Sequence, residues 1–357
     1  MSFYQKIKPI LFKIDPENAH NLMTKFMLIP PKIPLLESCL ARRYCSVYQS
    51  LTQNIHGLHF YNPVGLASGF DKNGEFVRGM AGIGFGFLEL GSVTQMPQEG
   101  NPKPRVFRHV VEESLQNAMG FNNIGVRGMI ANLKKHYPFS IPLGINIGKN
   151  KNLVLADSLK NYELSLEALK DYGDYFTFNL SSPNTPNLRD LQNESFVEEL
   201  LAMARSITQK PLFIKISPDM EIDSMLAVCQ KAIECNVSGI VATNTTIDYA
   251  TVSHPIQKDG VGIGGISGKA LCQKSREILR ILAQHFFGKT ILISLGGVGD
   301  SDEVYKRLKL GASLVQIMSA LVYQGPSLIA RINKEVHQKL VADGFANITE
   351  VIGKEIA

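Results

Sequence analysis

The sequence predicts an α/β fold, a (β/α)8 TIM barrel that carries a small N-terminal helical domain. Three observations lead there. Eight continuous apolar, strand-like runs occur at 63–68, 85–92, 143–147, 175–180, 212–216, 239–243, 291–295 and 314–317. Segments of helical periodicity, such as 194–209, 221–236 and 269–287, separate many of them. The regular alternation matches a closed barrel better than an open doubly wound sheet. At 357 residues, 45% hydrophobic and 19% charged, the chain has room for one barrel and one appendage. The expected division is residues 1–45 and 46–357.

The appendage reads as two short helices. Phe3, Ile7, Ile10, Leu11 and Ile14 fall at helical spacing with Lys6, Lys8 and Lys13 between them. Asp15-Pro16 restarts a helix, Asp as cap and Pro in the first turn. Leu22, Met23, Phe26 and Met27 form its apolar stripe, which Pro30-Pro31 and Pro34 end. Residues 1–60 hold seven Lys or Arg against three acids, most of the net charge of +5. No nucleic-acid motif accompanies them, and a basic amphipathic segment suits an anionic membrane surface. Packing against the barrel is the competing reading. Neither helix reaches the ~20 apolar residues that span a bilayer. The charge-free run 310–330 is broken by Gly325-Pro326 and reads as strand, loop and helix. Five cysteines without a C-x-x-C pair, and no visible signal peptide, point to a reducing compartment without disulfides or structural zinc. Residues 46–62 are expected to form a hairpin closing the barrel bottom, and 94–122 a long insertion after strand two.

Barrel active sites lie at the C-terminal strand ends. Those ends carry Ser68-Gly69-Phe70-Asp71-Lys72, Ser92, Asn146, Asn179 with Ser182 and Asn184, Lys215, Thr243-Asn244-Thr245, Gly296-Gly297 and Met318-Ser319. Two lysines and a ring of asparagines converge without a carboxylate pair or a metal-ligand cluster. Amides in a ring suit a cyclic imide or urea. Lys72 would balance a substrate carboxylate and Lys215 a developing anion. The glycines after strand seven and Ser319 stand where barrels hold a phosphate, so a phosphorylated cofactor would supply the reactivity. The 181–187 turn, stiffened by Pro183 and Pro186, also fits plain turn chemistry. Gly260-Val-Gly-Ile-Gly-Gly265 lacks the strand–helix context of a dinucleotide site. His56 and His59 read as a hairpin, and Lys149 and Lys151 as solvated loop charges.

The runs 11–20, 65–75, 101–108, 117–123, 144–150, 179–185, 215–219, 242–246 and 264–268 resemble, in order, those of class 2, quinone-dependent dihydroorotate dehydrogenases. The resemblance covers nearly the whole chain. It implies FMN in the barrel and oxidation of dihydroorotate to orotate in pyrimidine synthesis. Ser182 matches the catalytic base, removing the C5 proton while C6 gives a hydride to the flavin. Thr185 and Phe121 match the water relay and its apolar wall. The substrate is expected at Lys72, Asn117, Ala118, Met119, Gly120, Phe121, Asn179, Asn184, Asn244 and Thr245. FMN is expected at Ser68, Gly69, Phe70, Asp71, Lys72, Ser92, Asn146, Asn179, Lys215, Thr243, Gly268, Gly297, Met318 and Ser319. His20 and Arg108 fall on the quinone side, in a tunnel beneath the N-terminal helices.

Three departures accompany the match. Met318 stands where the family usually has Tyr, Ser92 where Thr is common in bacterial members, and Ala118 where Arg is frequent. The expected partners are dihydroorotate or orotate and a membrane quinone, without nucleic acid or metal. A peripheral, monomeric protein on the cytoplasmic face of a bacterial inner membrane is expected, since neither a transit peptide nor a spanning helix is visible. Another FMN barrel reductase, or an inactive membrane-bound barrel, are the alternatives.

Overall fold

The computed structural model describes residues 3–356, with Phe3 by its backbone alone. Chain positions 1, 2 and 357 of the expected division, and the Phe3 side chain of the expected apolar stripe, lie outside the described residues. Three helices open the chain: α1 (Phe3–Leu11), α2 (Pro16–Met27) and α3 (Pro34–Tyr44). Asp15 caps α2, its Oδ1 accepting from the Asn18 N–H at 3.0 Å. α3 was not expected. Pro34 does not end a helix but occupies its first turn, where a missing N–H costs nothing.

The hairpin β1 (Gln53–Ile55) and β2 (Leu58–Phe60) turns at His56-Gly57, both at positive φ. The barrel strands follow in chain order as β3 (Val64–Leu66), β4 (Phe87–Val93), β7 (Leu143–Ile147), β8 (Tyr175–Asn179), β9 (Leu212–Ile216), β10 (Gly239–Ala242), β14 (Ile291–Leu295) and β15 (Leu314–Ile317). They close into one parallel eight-stranded barrel in that same order. Helices α4 (Val77–Ala81), α5 (Gly125–Leu133), α6 (Ser158–Leu169), α7 (Glu194–Ile207), α8 (Ile222–Glu234), α9 (Cys272–Phe286) and α10 (Ser301–Lys309) alternate with them. α11 (Ser319–Gln324) and α12 (Leu328–Ala342) resolve the charge-free run as strand, short helix and helix.

The insertion after β4 holds β5 (Val106–His109) and β6 (Ser114–Asn117), and β13 (Gly265–Gly268) pairs antiparallel with β6. The glycine-rich stretch before β13 forms the small pair β11 (Gln257–Lys258) and β12 (Val261–Gly262), not a dinucleotide loop.

The hairpin does close the barrel bottom. Ile55 and Phe60 pack with Phe87, Tyr175 and Phe213 in a separate apolar cluster. Gly144 makes room there, since a Cβ on it would sit 2.1 Å from the Tyr175 ring. Packing this floor leaves the opposite, C-terminal end to the chemistry.

The N-terminal helices both pack and remain exposed. A Cβ on Gly79 of α4 would lie 2.3 Å from the Met27 carbonyl, so α2 ends in tight contact with the barrel's first helix. Yet Ile10, Phe26 and Leu35 are 65, 52 and 73% exposed. Among the described residues no helix is long and apolar enough to cross a membrane.

Candidate active site

The deepest layer is organised by a residue that strand patterning did not single out. Glu89 interrupts an apolar strand and is fully buried inside the barrel. Asn146 Nδ2 donates to it at 2.9 Å, and Thr177 Oγ1 and Gln316 Nε2 each at 3.0 Å. Four strands thus meet on one carboxylate. The signal was a charge within a run of buried positions, where charges occur only with partners.

Asn146 carries this order upward. Its Oδ1 accepts from Ser92 Oγ and, at 3.3 Å, from Asn179 Nδ2. Asn179 Nδ2 also donates to Ser92 Oγ at 2.9 Å, and its Oδ1 accepts from Asn244 Nδ2 at 3.2 Å and Ser181 Oγ at 3.1 Å. The expected ring of amides therefore exists, largely satisfied within itself.

Several polar groups are left over at its rim. Asn184 Nδ2 donates to Asn117 Oδ1 at 3.2 Å, but Asn184 Oδ1, Thr185 Oγ1 and Thr245 Oγ1 are buried without a partner among the described residues. Such groups call for a ligand or water. Lys72 and Lys215 face the same space as Asn184 and Thr245. Burial lowers the Lys72 pKa to about 8, with Glu17 opposing the shift and Arg105 adding to it. Burial also lowers that of Lys215, against the attraction of Glu89. Lys215 Nζ donates to Ser68 Oγ at 3.2 Å.

Ser182 lies buried in the turn after β8, and its Oγ accepts from the Asn184 N–H at 3.3 Å. A donor aimed at the hydroxyl oxygen favours its anionic form. The turn is held from behind by Arg189, whose Nε donates to the Ser181 carbonyl and Nη2 to the Thr245 carbonyl, both at 3.0 Å. Its Nη1 meets Asp219 Oδ2 at 3.0 Å, and Lys274 meets Asp219 Oδ1 at 2.6 Å. Sequence patterning assigns no role to either Arg189 or Asp219.

The glycine corner after β14 is equally braced. A Cβ on Gly297 would lie 2.4 Å from the Cys272 Cα, so only glycine fits. Arg307 is fully buried, donating to the Gly296 carbonyl at 2.7 Å and pairing with Glu303 at 2.8 Å. Ser319 Oγ meets Ser267 Oγ at 2.8 Å across the corner.

One cavity of about 640 Å³ connects these parts and runs on beneath α1 and α2. It is lined by most of the expected residues, including Ser68, Lys72, Ser182, Lys215, Met318 and Ser319. Asp71, Ala118, Asn146 and Thr185 do not line it. Asp71 instead accepts from the Glu75 and Phe76 N–H groups at 2.9 and 2.8 Å, and Asn146 sits one layer below. Ala118 contributes main chain, its carbonyl accepting from Asn101 at 2.9 Å.

Towards the helices the lining becomes apolar, with Leu11, Met23 and Met27 around His20 and Arg108. His20 packs edge-on against Phe70 at 4.8 Å, and burial, with the Lys72 charge, lowers its pKa to about 4. It is neutral at physiological pH. Arg108 donates to the Ile14 carbonyl at 2.8 Å and stacks on Phe12. Lys149 was expected to be solvated and is not: it is 1% exposed and donates to the Leu153 carbonyl at 2.7 Å. Lys151 likewise bonds Asn101 at 2.7 Å.

A family model described as dihydroorotate dehydrogenase matches residues 50–340. Among curated proteins, the chain is 49% identical to dihydroorotate dehydrogenase (quinone) of Helicobacter acinonychis, over 99% of both chains. It is 47% identical to the proteins of that name in Sulfurovum sp., over 99% of this chain and 98% of the other, and Sulfurimonas denitrificans, over 99% of both. Crystal structures of DHODH from Eimeria tenella are similar throughout. The ligand-free form has a TM-score of 0.83 at 31% identity, covering 96% of this chain and 100% of that one. The complex with ferulenol has a TM-score of 0.82 at 30% identity, covering 96% and 98%.

Proposed function

The chain belongs to the quinone-dependent, class 2 dihydroorotate dehydrogenases, and from this premise we propose how its cavity works. The reaction is oxidation of (S)-dihydroorotate to orotate, with FMN at the strand ends and a membrane quinone as final acceptor. The residues fit such a cofactor: Lys215 is a buried cation with a neutral hydroxyl for its hydrogen bond, and Gly297 with Ser319 opens a corner for a phosphate. Ser68, Lys215, Thr243, Gly268, Gly297 and Ser319 would hold it. Bound FMN would supply the two-electron acceptor between substrate and quinone.

The remaining work belongs to the side chains. Lys72 holds the substrate carboxylate. Asn184 Oδ1 and Thr245 Oγ1, left unpartnered at the rim, meet the ring's polar edge. Ser182 takes the C5 proton as the C6 hydride leaves, and the C5–C6 bond becomes double. A serine is a weak base, so the proton must move on; Thr185, whose buried Oγ1 has no partner among the described residues, would serve a water relay, with Phe121 as its apolar wall.

Quinone would enter beneath the N-terminal helices, whose exposed Ile10, Phe26 and Leu35 would rest on the cytoplasmic face of a bacterial inner membrane. The observation that carries this reading is the single cavity joining the Ser182 turn to the apolar space around His20. The test is a steady-state assay with dihydroorotate and a short-chain ubiquinone. Orotate should form in equal amount to quinol. Turnover only with NADPH and a dihydropyrimidine would point to a different barrel reductase.

A further inference from the structure

A buried ion pair ties the N-terminal helices to the wall of the substrate site. Glu17, in the first turn of α2, accepts from Arg105 Nε and Nη2 at 3.1 and 2.8 Å. The two side chains are 11 and 7% exposed. Lys103 also approaches Glu17, at 3.3 Å, but is 60% exposed and adds little. Burial pushes the Glu17 carboxyl up, and the hydrogen bonds and charges of Arg105 and Lys103 more than offset it, so Glu17 is ionised.

The rest of the same guanidinium faces the other way. Arg105 Nη1 donates to the carbonyls of Glu99 and Asn101 at 2.6 and 2.8 Å. Asn101 then holds the substrate wall. Its Nδ2 donates to the Ala118 carbonyl at 2.9 Å, and its N–H to the Met119 carbonyl at 3.0 Å. A Cβ on Gly120 would lie 2.9 Å from the Asn101 side chain, so the fit is close. At the end of the wall, Asn117 accepts from Asn184, two residues beyond Ser182. Hydrogen bonds, with the Asn117–Ala118 backbone as the one covalent step, therefore link α2 to the turn that carries Ser182.

We propose that Glu17 is a positioning residue for the dihydroorotate half-reaction, holding the 117–121 wall against the Ser182 turn through Arg105. α2 then serves both halves of the cavity, and residues 1–45 are not a separable quinone module. The inference rests on the proposed reading of the cavity as a dihydroorotate site.

The test uses the purified FMN-loaded enzyme, with orotate binding followed by the perturbation of flavin absorbance. Glu17→Gln and Arg105→Met should each retain flavin and weaken orotate binding by about tenfold, the scale of one charge-assisted bond. The half-saturating dihydroorotate concentration for anaerobic flavin reduction should rise in parallel. The double variant should be no weaker than either single one, because both break the same link. Should Glu17→Gln fail to fold, Arg105→Lys keeps the charge but loses the fork, and should weaken orotate binding by itself. Orotate affinity within twofold of wild type in these variants, or losses that multiply in the double variant, would overturn the inference. Failure of the wild-type enzyme to bind orotate would instead overturn the reading of the cavity.

Discussion

Arg189 and Asp219 form an ion pair at 3.0 Å directly behind the Ser182 turn, and this pair decides where the turn stands. Arg189 reaches past Asp219 to the carbonyls of Ser181 and Thr245, while Asp219 also accepts from the Ile247 N–H at 2.9 Å. The loops after β8 and β10 are thereby fixed to one another, and Ser182, the proposed base, is fixed with them. Asp219→Asn should leave the fold intact but slow flavin reduction by dihydroorotate roughly 10- to 100-fold, as displacement of a reacting group does. Stopped-flow reduction at saturating substrate checks this.

The second prediction concerns pH. Lys72 must be protonated to hold a carboxylate, and its pKa is lowered to about 8. Orotate is the proper probe, since its binding requires no base. Its Kd should be flat below that pH and rise above it, towards about tenfold per pH unit, as the ammonium is lost. Lys72→Gln should bind orotate weakly and without this pH dependence. A titration of flavin absorbance from pH 6 to 10, taken as an approximate range around the Lys72 transition, measures both.

Glu89 provides the third. Glu89→Leu would leave donors on Asn146, Thr177 and Gln316 without their acceptor in the closed interior of the barrel. Each such group costs about 1–3 kcal/mol, so the variant should lose several kcal/mol of stability or fail to accumulate. Glu89→Gln keeps one acceptor and should lose less. Urea denaturation of the purified proteins ranks them.

The fourth tests the membrane face. Phe26 and Leu35 are exposed on α2 and α3, with Lys25, Lys32, Arg42 and Arg43 nearby in the sequence. Replacing both apolar residues by Ser should weaken binding to anionic vesicles by at least about tenfold, given about 1.5–3 kcal/mol for each fully buried side chain. Added salt should weaken the wild type through the basic residues. Vesicle co-sedimentation reads both effects.

The barrel was legible because parallel strands buried on both faces are continuous apolar runs; four of the eight barrel strands match their expected bounds and the other four differ by one or two residues at one or both ends. Tyr175–Asn179 and the polar turn after it were evident for the same reason. α3 was missed because Pro34 signals both a stop and a start, and only the tertiary fold decides between them. Lys149 was misjudged because a carbonyl four residues along can satisfy a buried ammonium, which spacing does not reveal. Arg189, Asp219, Glu17 and Arg105 were beyond periodicity altogether. Their partners lie 30 and 88 positions apart, so the pairs exist only once the chain has closed.

Ser182 is where the central claim is most exposed. Its hydroxyl accepts the Asn184 N–H, and no carboxylate or imidazole hydrogen-bonds to it among the described residues. The decisive measurement is anaerobic stopped-flow mixing of dihydroorotate with FMN-loaded wild type and Ser182→Ala near neutral pH, followed by addition of quinone. Wild-type flavin should bleach and recover its colour with quinone. Ser182→Ala should keep its flavin and bleach slower by about 10²-fold or more, the usual contribution of a general base. Bleaching of the variant at close to the wild-type rate would contradict the account.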